Sequence, residues 1–158
     1  VIIEVVVVST SRFRRFGAVD EPEEAEDLSG RSILERLEAA GRSFTYRLIP
    51  DGAEEVRRAI LGSEADVVVL CGGTGLAPGD MTIEGAEPLF EKTIPGFGEI
   101  FRQKSLEEVG TRAILTRASA GVVRGVPVFC IPGSPSAARL GIELILAEVD
   151  HILHHISE

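Results

Sequence analysis

Runs of consecutive apolar residues alternate along this chain with stretches in which apolar residues recur every three or four positions. Val5–Val8 and Val67–Val69 contain no polar position, the pattern of strands covered on both faces, as in parallel sheets. Ile2–Val8 predicts a first strand and Phe44–Ile49 a second, ending at Pro50-Asp51-Gly52. Val67–Leu70 predicts a third, and Val126–Ile131 a late one closed by Pro132-Gly-Ser-Pro135. Ile33, Leu34, Leu37 and Ala40 fall at helical spacing with Gly41 as a stop, which predicts a helix over Ser29–Ala40. Val56, Ile60 and Leu61 mark a second helix, and Thr82–Phe90 reads as helical again. Pro95-Gly-Phe-Gly98 reads as a break before a helix carrying Ile100, Phe101 and Val109. Ala113–Val123 fits helix or strand; a short turn and a strand-like Gly121–Val123 are preferred. A long C-terminal helix, interrupted near Val149, ends the chain. Ser9–Asp27 is polar, with Arg12, Arg14 and Arg15 ahead of an acidic block. It predicts a long loop, either a mobile lid or a functional loop.

Strands alternating with helices define the α/β class, here a three-layer α/β/α domain around a mostly parallel sheet. With 158 residues, no repeat and no linker, the chain reads as one domain spanning residues 1–158; whether residues precede Val1 is left open. A net charge of −9 argues against nucleic acid and anionic membrane as partners. No apolar run approaches the ~18 residues of a membrane span. Cys71 and Cys130 read as buried reduced thiols of a cytoplasmic protein.

In such sheets ligands bind beyond the carboxyl ends of the strands. Ser9–Arg12, Pro50-Asp51, Gly72–Thr82 and Pro132–Ser136 all belong there. In Gly72-Gly-Thr-Gly75 the glycines allow positive φ and a close backbone approach to an anion, with amides of the following helix turn pointing at it. Asp80 and Thr82 then stand beside bound phosphate, where a carboxylate is repelled unless it holds a cation. Mg²⁺ held by one or two carboxylates plus substrate phosphates resolves the conflict, and Asp51 supplies a second carboxylate. The segment is not a P-loop, because the chain has no Gly-Lys pair. Nor is it a dinucleotide fingerprint, which needs a small residue in place of Pro78 and follows the first strand.

Each feature also has a plain structural reading. The glycines suit a tight strand-to-helix connection, Asp51 and Ser134 suit helix caps, and His151, His154 and His155 suit an exposed helix end. Phe97, Ile100 and Phe101 suit core or a subunit interface.

Taken in order, Gly72-Gly-Thr-Gly75 with Asp80 and Thr82, Pro95-Gly-Phe-Gly-Glu-Ile-Phe-Arg102 with Ser105, and Pro132-Gly-Ser-Pro135 resemble the MogA/MoaB family of molybdenum-cofactor biosynthesis. The gephyrin G domain shares that fold. Ser9-Thr-Ser-Arg12, Asp27-Leu-Ser-Gly30 and Ile49-Pro-Asp51 extend the resemblance over nearly the whole chain. It implies a six-stranded mixed sheet assembled as a homotrimer, or a homohexamer in some MoaB proteins. It implies Mg²⁺-dependent adenylylation of molybdopterin by ATP, with release of pyrophosphate, ahead of a metal-insertion protein that uses molybdate or tungstate. Position by position, it makes Asp51 and Asp80 the catalytic and metal-binding aspartates, and Gly72, Gly73, Thr74, Gly75 and Thr82 the nucleotide-phosphate loop. It makes Ser11, Arg12, Ser105, Pro132, Gly133 and Ser134 walls of the pterin-phosphate and nucleotide pockets. Gly79 stands where members of that family often carry Arg. Arg12, Arg102, Lys104, Arg112 and Arg139 are candidates to replace that charge. The alternative is a non-catalytic molybdopterin-binding or carrier protein of MoaB type.

Overall fold

The two Val-rich runs lie side by side near the centre of a six-stranded sheet in the computed structural model, which describes residues Val1–Glu158. The strands are β1 (Ile2–Val8), β2 (Ser43–Ile49), β3 (Val67–Cys71), β4 (Lys92–Thr93), β5 (Ser119–Val123) and β6 (Val126–Ile131), in the order β2-β1-β3-β6-β5-β4. The first four in that order are parallel, and β5 and β4 close the sheet antiparallel. The helices are α1 (Thr10–Phe16), α2 (Leu28–Ala39), α3 (Ala53–Leu61), α4 (Thr82–Ala86), α5 (Pro95–Val109) and α6 (Pro135–Ile156).

Alternation along each strand divides the core between two faces. Ile3, Val5 and Val7 of β1 join Val67 and Val69 of β3 and Phe129 of β6 against Ile33 and Leu37 of α2, Phe101 of α5 and Ile142 and Ile145 of α6. Val6 and Val8, with Val68, Leu70 and Val128, meet Val56 and Ile60 of α3 and Ile83 of α4. Both faces of β1 and β3 are therefore covered, which is why those runs need no polar position. The chain departs from β1 through one layer and returns to β3 through the other, so the sheet's switch point lies between these strands. No helix is long and apolar enough to cross a membrane.

Three sequence expectations are corrected. Ser9–Asp27 is not a free loop or lid: Ser9 Oγ caps α1 by accepting from Arg12 N at 3.3 Å, and Phe13 and Phe16 pack against the larger core cluster. A one-turn 3₁₀ helix over Pro22–Ala25, with a capping box at Glu21 and Glu24, takes up the acidic block. Pro95-Gly-Phe-Gly98 is the first turn of α5 and not a break, since proline at the start of a helix loses no intrahelical hydrogen bond. α6 runs unbroken through Val149, which is fully buried and anchors the helix. Thr82–Phe90 is helical as its pattern predicts, in two pieces: the short α4 and a 3₁₀ turn over Glu87–Leu89. The two-residue β4 carried no period to read.

Candidate functional site

The carboxyl ends of β1, β2, β3 and β6 meet along one edge, and their loops are laced together by hydrogen bonds. Ser9 N donates to Ile49 O at 3.0 Å, Asp51 N to Thr10 Oγ1 at 2.9 Å, and Gly72 N to Ile131 O at 2.9 Å. Met81 N donates to Asp51 Oδ1 at 3.0 Å, and Ser29 Oγ to Gly133 O at 2.7 Å. This rim encloses a cleft of about 750 Å³. Its walls include Ser9, Arg12, Asp27, Ser29, Gly72–Gly75, Asp80, Ser105, Arg112 and Pro132–Ser136.

The glycine loop owes its path to Gly72 and Gly73, with φ of +109° and +70°. A Cβ on Gly72 would run into the Val8 carbonyl, and one on Gly73 would stand 2.6 Å from Asp51 Oδ2. Thr82 locks the loop from within: its amide donates to Gly73 O at 2.9 Å and its hydroxyl to Gly72 O at 2.7 Å. Thr82 is fully buried and lies behind the cleft, with both its amide and its hydroxyl proton already used.

Asp80 reaches the cleft from a tight turn, accepting from Ala77 N at 3.0 Å through Oδ2 while its own amide donates to Ala77 O. Asp51 stands one layer back, outside the cleft wall. It does not cap α3, whose cap position is Gly52 with no side-chain bond; its carboxylate instead receives the Met81 amide from across the rim. Burial pushes the Asp51 carboxyl above its ordinary range, and the negative charges of Asp80 and Glu84 add to this against the Met81 and Gly52 amides. Two carboxylates beside an anion loop, the charge of one raising the carboxyl of the other, are hard oxygen donors of the kind a divalent cation takes.

The sign of the Asp51 shift gives a testable result. A carboxyl raised in the folded state contributes stability at low pH, and that contribution is lost as pH rises through the folded pKa. Asp51→Asn keeps an acceptor for Met81 N and removes the repelled charge. Thermal unfolding should show a higher Tm than wild type at neutral pH, with the difference vanishing below the ordinary aspartate range.

Arg12 is half-buried in the cleft wall; its Nη2 donates to Glu26 O at 3.4 Å, and its buried Nε has no partner in the protein. A free buried donor of this kind fits a ligand oxygen. Ser11 is exposed, outside the wall, 3.4 Å from Ser9 Oγ. Ser105 is buried in the wall, and Pro132, Gly133 and Ser134 form a lip beside the glycine loop, where a Cβ on Gly133 would stand 3.2 Å from Gly72 Cα. Ser134 also caps α6 through Ala137 N at 3.3 Å, so its two readings hold together. Of the other basic candidates, Arg112 lines the cleft while Lys104 and Arg139 do not. Arg102 is turned away, donating to Thr116 O and Ala118 O.

Two participants escaped sequence reasoning as individual residues. Asp27 is buried in the cleft wall, where it caps α2 through Gly30 N at 2.9 Å and accepts from Tyr46 Oη at 2.7 Å. Burial and this hydrogen bond raise the Tyr46 phenol pKa, so the tyrosine stays a donor. Arg117 grips the glycine loop from outside the cleft, donating from Nε to Thr74 O at 3.1 Å and from Nη2 to Gly75 O at 2.6 Å. No spacing rule marks a lone arginine in a segment ambiguous between helix and strand. Both cysteines are fully buried, and burial pushes the Cys71 thiol up to about 12, so neither is a nucleophile at neutral pH. His151 and His155 stack at the exposed end of α6, with their Nε2 atoms 2.9 Å apart, away from the cleft. Phe101 and Phe97 join the core, whereas Ile100 is exposed.

Fold and site together define a three-layer α/β domain whose ligand cleft opens at the switch point of its sheet, with a glycine loop, a facing aspartate and a second aspartate behind it. Residues 4–151 match the family model described as "Probable molybdopterin binding domain", and the chain belongs to that family. It is 49% identical over 142 residues to a molybdopterin adenylyltransferase of Pyrococcus furiosus, covering 85% of this chain and 83% of that protein. It is 42% identical to molybdenum cofactor biosynthesis protein B of Bacillus subtilis, over 82% of this chain and 81% of that protein. The crystal structure of the tungsten cofactor synthesizing protein MoaB from Pyrococcus furiosus superposes with a TM-score of 0.85 at 44% identity, over 99% of this chain and 97% of that one.

Proposed function

We propose that this chain transfers the adenylyl group of ATP to molybdopterin, giving adenylyl-molybdopterin and pyrophosphate in molybdenum- or tungsten-cofactor biosynthesis. The observation that carries the reading is the single wall in which Gly72–Gly75, Asp80 and Arg12 face one cleft. The adenylyltransferase name of a relative at 49% identity supports the same chemistry. A cleft of about 750 Å³ is in the range of sites that enclose a nucleotide-sized ligand.

An oxygen of the terminal phosphate of molybdopterin attacks the α-phosphorus of ATP, and the bond from that phosphorus to the β-phosphate bridging oxygen breaks. Pyrophosphate carries off the electron pair. The nucleophile is already ionised at neutral pH, so the protein has positioning and charge stabilisation to supply and little general-base work. Backbone amides of the glycine loop and the free Arg12 Nε bind phosphate oxygens. Asp80, which lines the cleft, would hold Mg²⁺, with Asp51, which fixes the Met81 amide from one layer back, as the second carboxylate. Mg²⁺ bound there would neutralise the phosphates and stabilise charge developing on the leaving group.

Incubation of the pure protein with molybdopterin, Mg²⁺ and labelled ATP tests the reading. AMP transfer supports it; molybdopterin binding without transfer would establish the carrier alternative. Gly79 supplies a second check. It has no atom within 4 Å of a would-be Cβ, and its φ lies outside the left-handed region, so the turn accepts a side chain. Gly79→Arg should lower the KM for ATP by roughly threefold to tenfold through one added charge beside the phosphates, with Tm within a few degrees of wild type.

Assembly as a homotrimer or homohexamer is part of the same proposal. Exposed Ile100, Leu106 and Val109 of α5, with Ile114 and Leu115 after it, offer apolar surface for it. Two free thiols, both buried, suit a cytoplasmic protein.

A further inference from the structure

The carbonyls of Thr74 and Gly75 both point at the Arg117 guanidinium, which lies outside the cleft that the same two residues line. In a trans peptide the C=O and the following N–H point in opposite directions. With the Thr74 and Gly75 carbonyls held outward, the N–H groups of Gly75 and Leu76 are turned to the other side of the loop. Neither has a hydrogen-bond partner within the chain, so both are free to bind an anion. Glu84 fixes the guanidinium in turn, with Oε2 2.6 Å from Nη1 and Oε1 3.2 Å from Nη2. All of these bonds come from one planar fork, a geometry that lysine lacks.

We infer that Arg117, backed by Glu84, is the positioning residue of the phosphate loop. It holds two peptide units in the orientation that presents the Gly75 and Leu76 amides to phosphate, and it adds a positive charge on the side of the loop away from the cleft. The hydrogen bond to Glu84, and after it the charges of Glu84, Asp80 and Glu87, raise the Arg117 pKa, so the charge persists at any working pH. Arg117 touches no reacting atom. The choice of ligand rests on the proposed adenylyl transfer, but the brace itself does not.

Titration with Mg²⁺ and inorganic pyrophosphate tests it in the wild type, Arg117→Lys, Arg117→Ala and Glu84→Gln. Losing the charged fork should weaken pyrophosphate binding by roughly tenfold to a hundredfold in Arg117→Ala, with a smaller but clear loss in Arg117→Lys. Glu84→Gln, which keeps one acceptor, should fall between wild type and Arg117→Ala. A second hollow, of about 520 Å³, borders Arg117 on its outer side, next to Ile83 and Thr116, and leaves room for a small cation. Millimolar guanidinium should therefore restore binding to Arg117→Ala, while methylammonium at equal ionic strength should not. Wild-type affinity in either Arg117 variant would overturn the proposal. So would a loss that both cations repair equally.

The ¹³C carbonyl resonances of Thr74 and Gly75 in the ligand-free protein give an independent reading. They should move in Arg117→Ala and return with guanidinium. If wild type neither binds nor uses ATP, the adenylyltransferase reading falls, and these resonances still decide whether the brace exists.

Discussion

Replacing Asp80 with Asn will reduce adenylyl transfer by about 10²–10³-fold, the scale on which removal of one transition-state electrostatic contact is felt. Asn retains an oxygen able to accept from Ala77 N, so the turn that presents residue 80 survives. What disappears is the negative charge on the cleft side of the glycine loop, which the proposed mechanism uses to hold Mg²⁺ against the phosphates. The loss should fall mainly on kcat, because a cation that stabilises developing charge matters more in the transition state than in the ground state. Rates over a range of Mg²⁺ concentrations check the assignment: a metal-organising Asp80 predicts a higher Mg²⁺ requirement for the variant. Wild-type turnover by Asp80→Asn would remove Asp80 from the mechanism.

The second large effect is on folding. Gly72→Ala should cost about 2–4 kcal/mol, because alanine would combine an unfavourable φ of +109° with a collision against the Val8 carbonyl. The obstacle is the backbone of β1, which cannot rotate aside as a side chain can. For a chain of this size the loss corresponds to a fall in Tm of roughly 5–15 °C. Gly79→Ala, in the same loop with nothing within 4 Å, should stay within about 0.5 kcal/mol of wild type. Urea unfolding of the two variants side by side measures the contrast. Equal stabilities would show that the approach of Gly72 to β1 is relaxed in solution.

Most of the parallel half of the sheet was legible because Val-rich runs buried on both faces leave little ambiguity, as at Val5–Val8 and Val67–Val69. The segments misread were those where long-range contact decides a local choice. Ser9–Asp27 is polar, yet Phe13 and Phe16 dock on the core and make a helix of part of it. Pro95–Gly98 carries breaker residues, yet proline belongs at a helix start. At the site, the glycine loop, Asp80 and the Pro132–Ser134 lip came from motifs whose place at strand ends is dictated by topology. Thr82 was read as a ligand contact, and the structure brings it to the loop as a buried clasp instead. Arg117 was invisible because its partners are backbone carbonyls 42 and 43 positions away, which leave no pattern in side-chain types.

The hydrogen bonds that lace the strand-end loops to one another bear on how a ligand is received. Loops tied in this way have little remaining freedom to surrender when a substrate arrives, since their ordering was completed when the chain folded. Binding should then carry a small conformational entropy penalty and be governed by charge and desolvation. The same lacing makes the rim a shared structure. A change at Thr10 is felt at Asp51, and through Met81 at the turn that carries Asp80. New specificity in this fold would arise by substituting the rim as a unit, not one loop at a time.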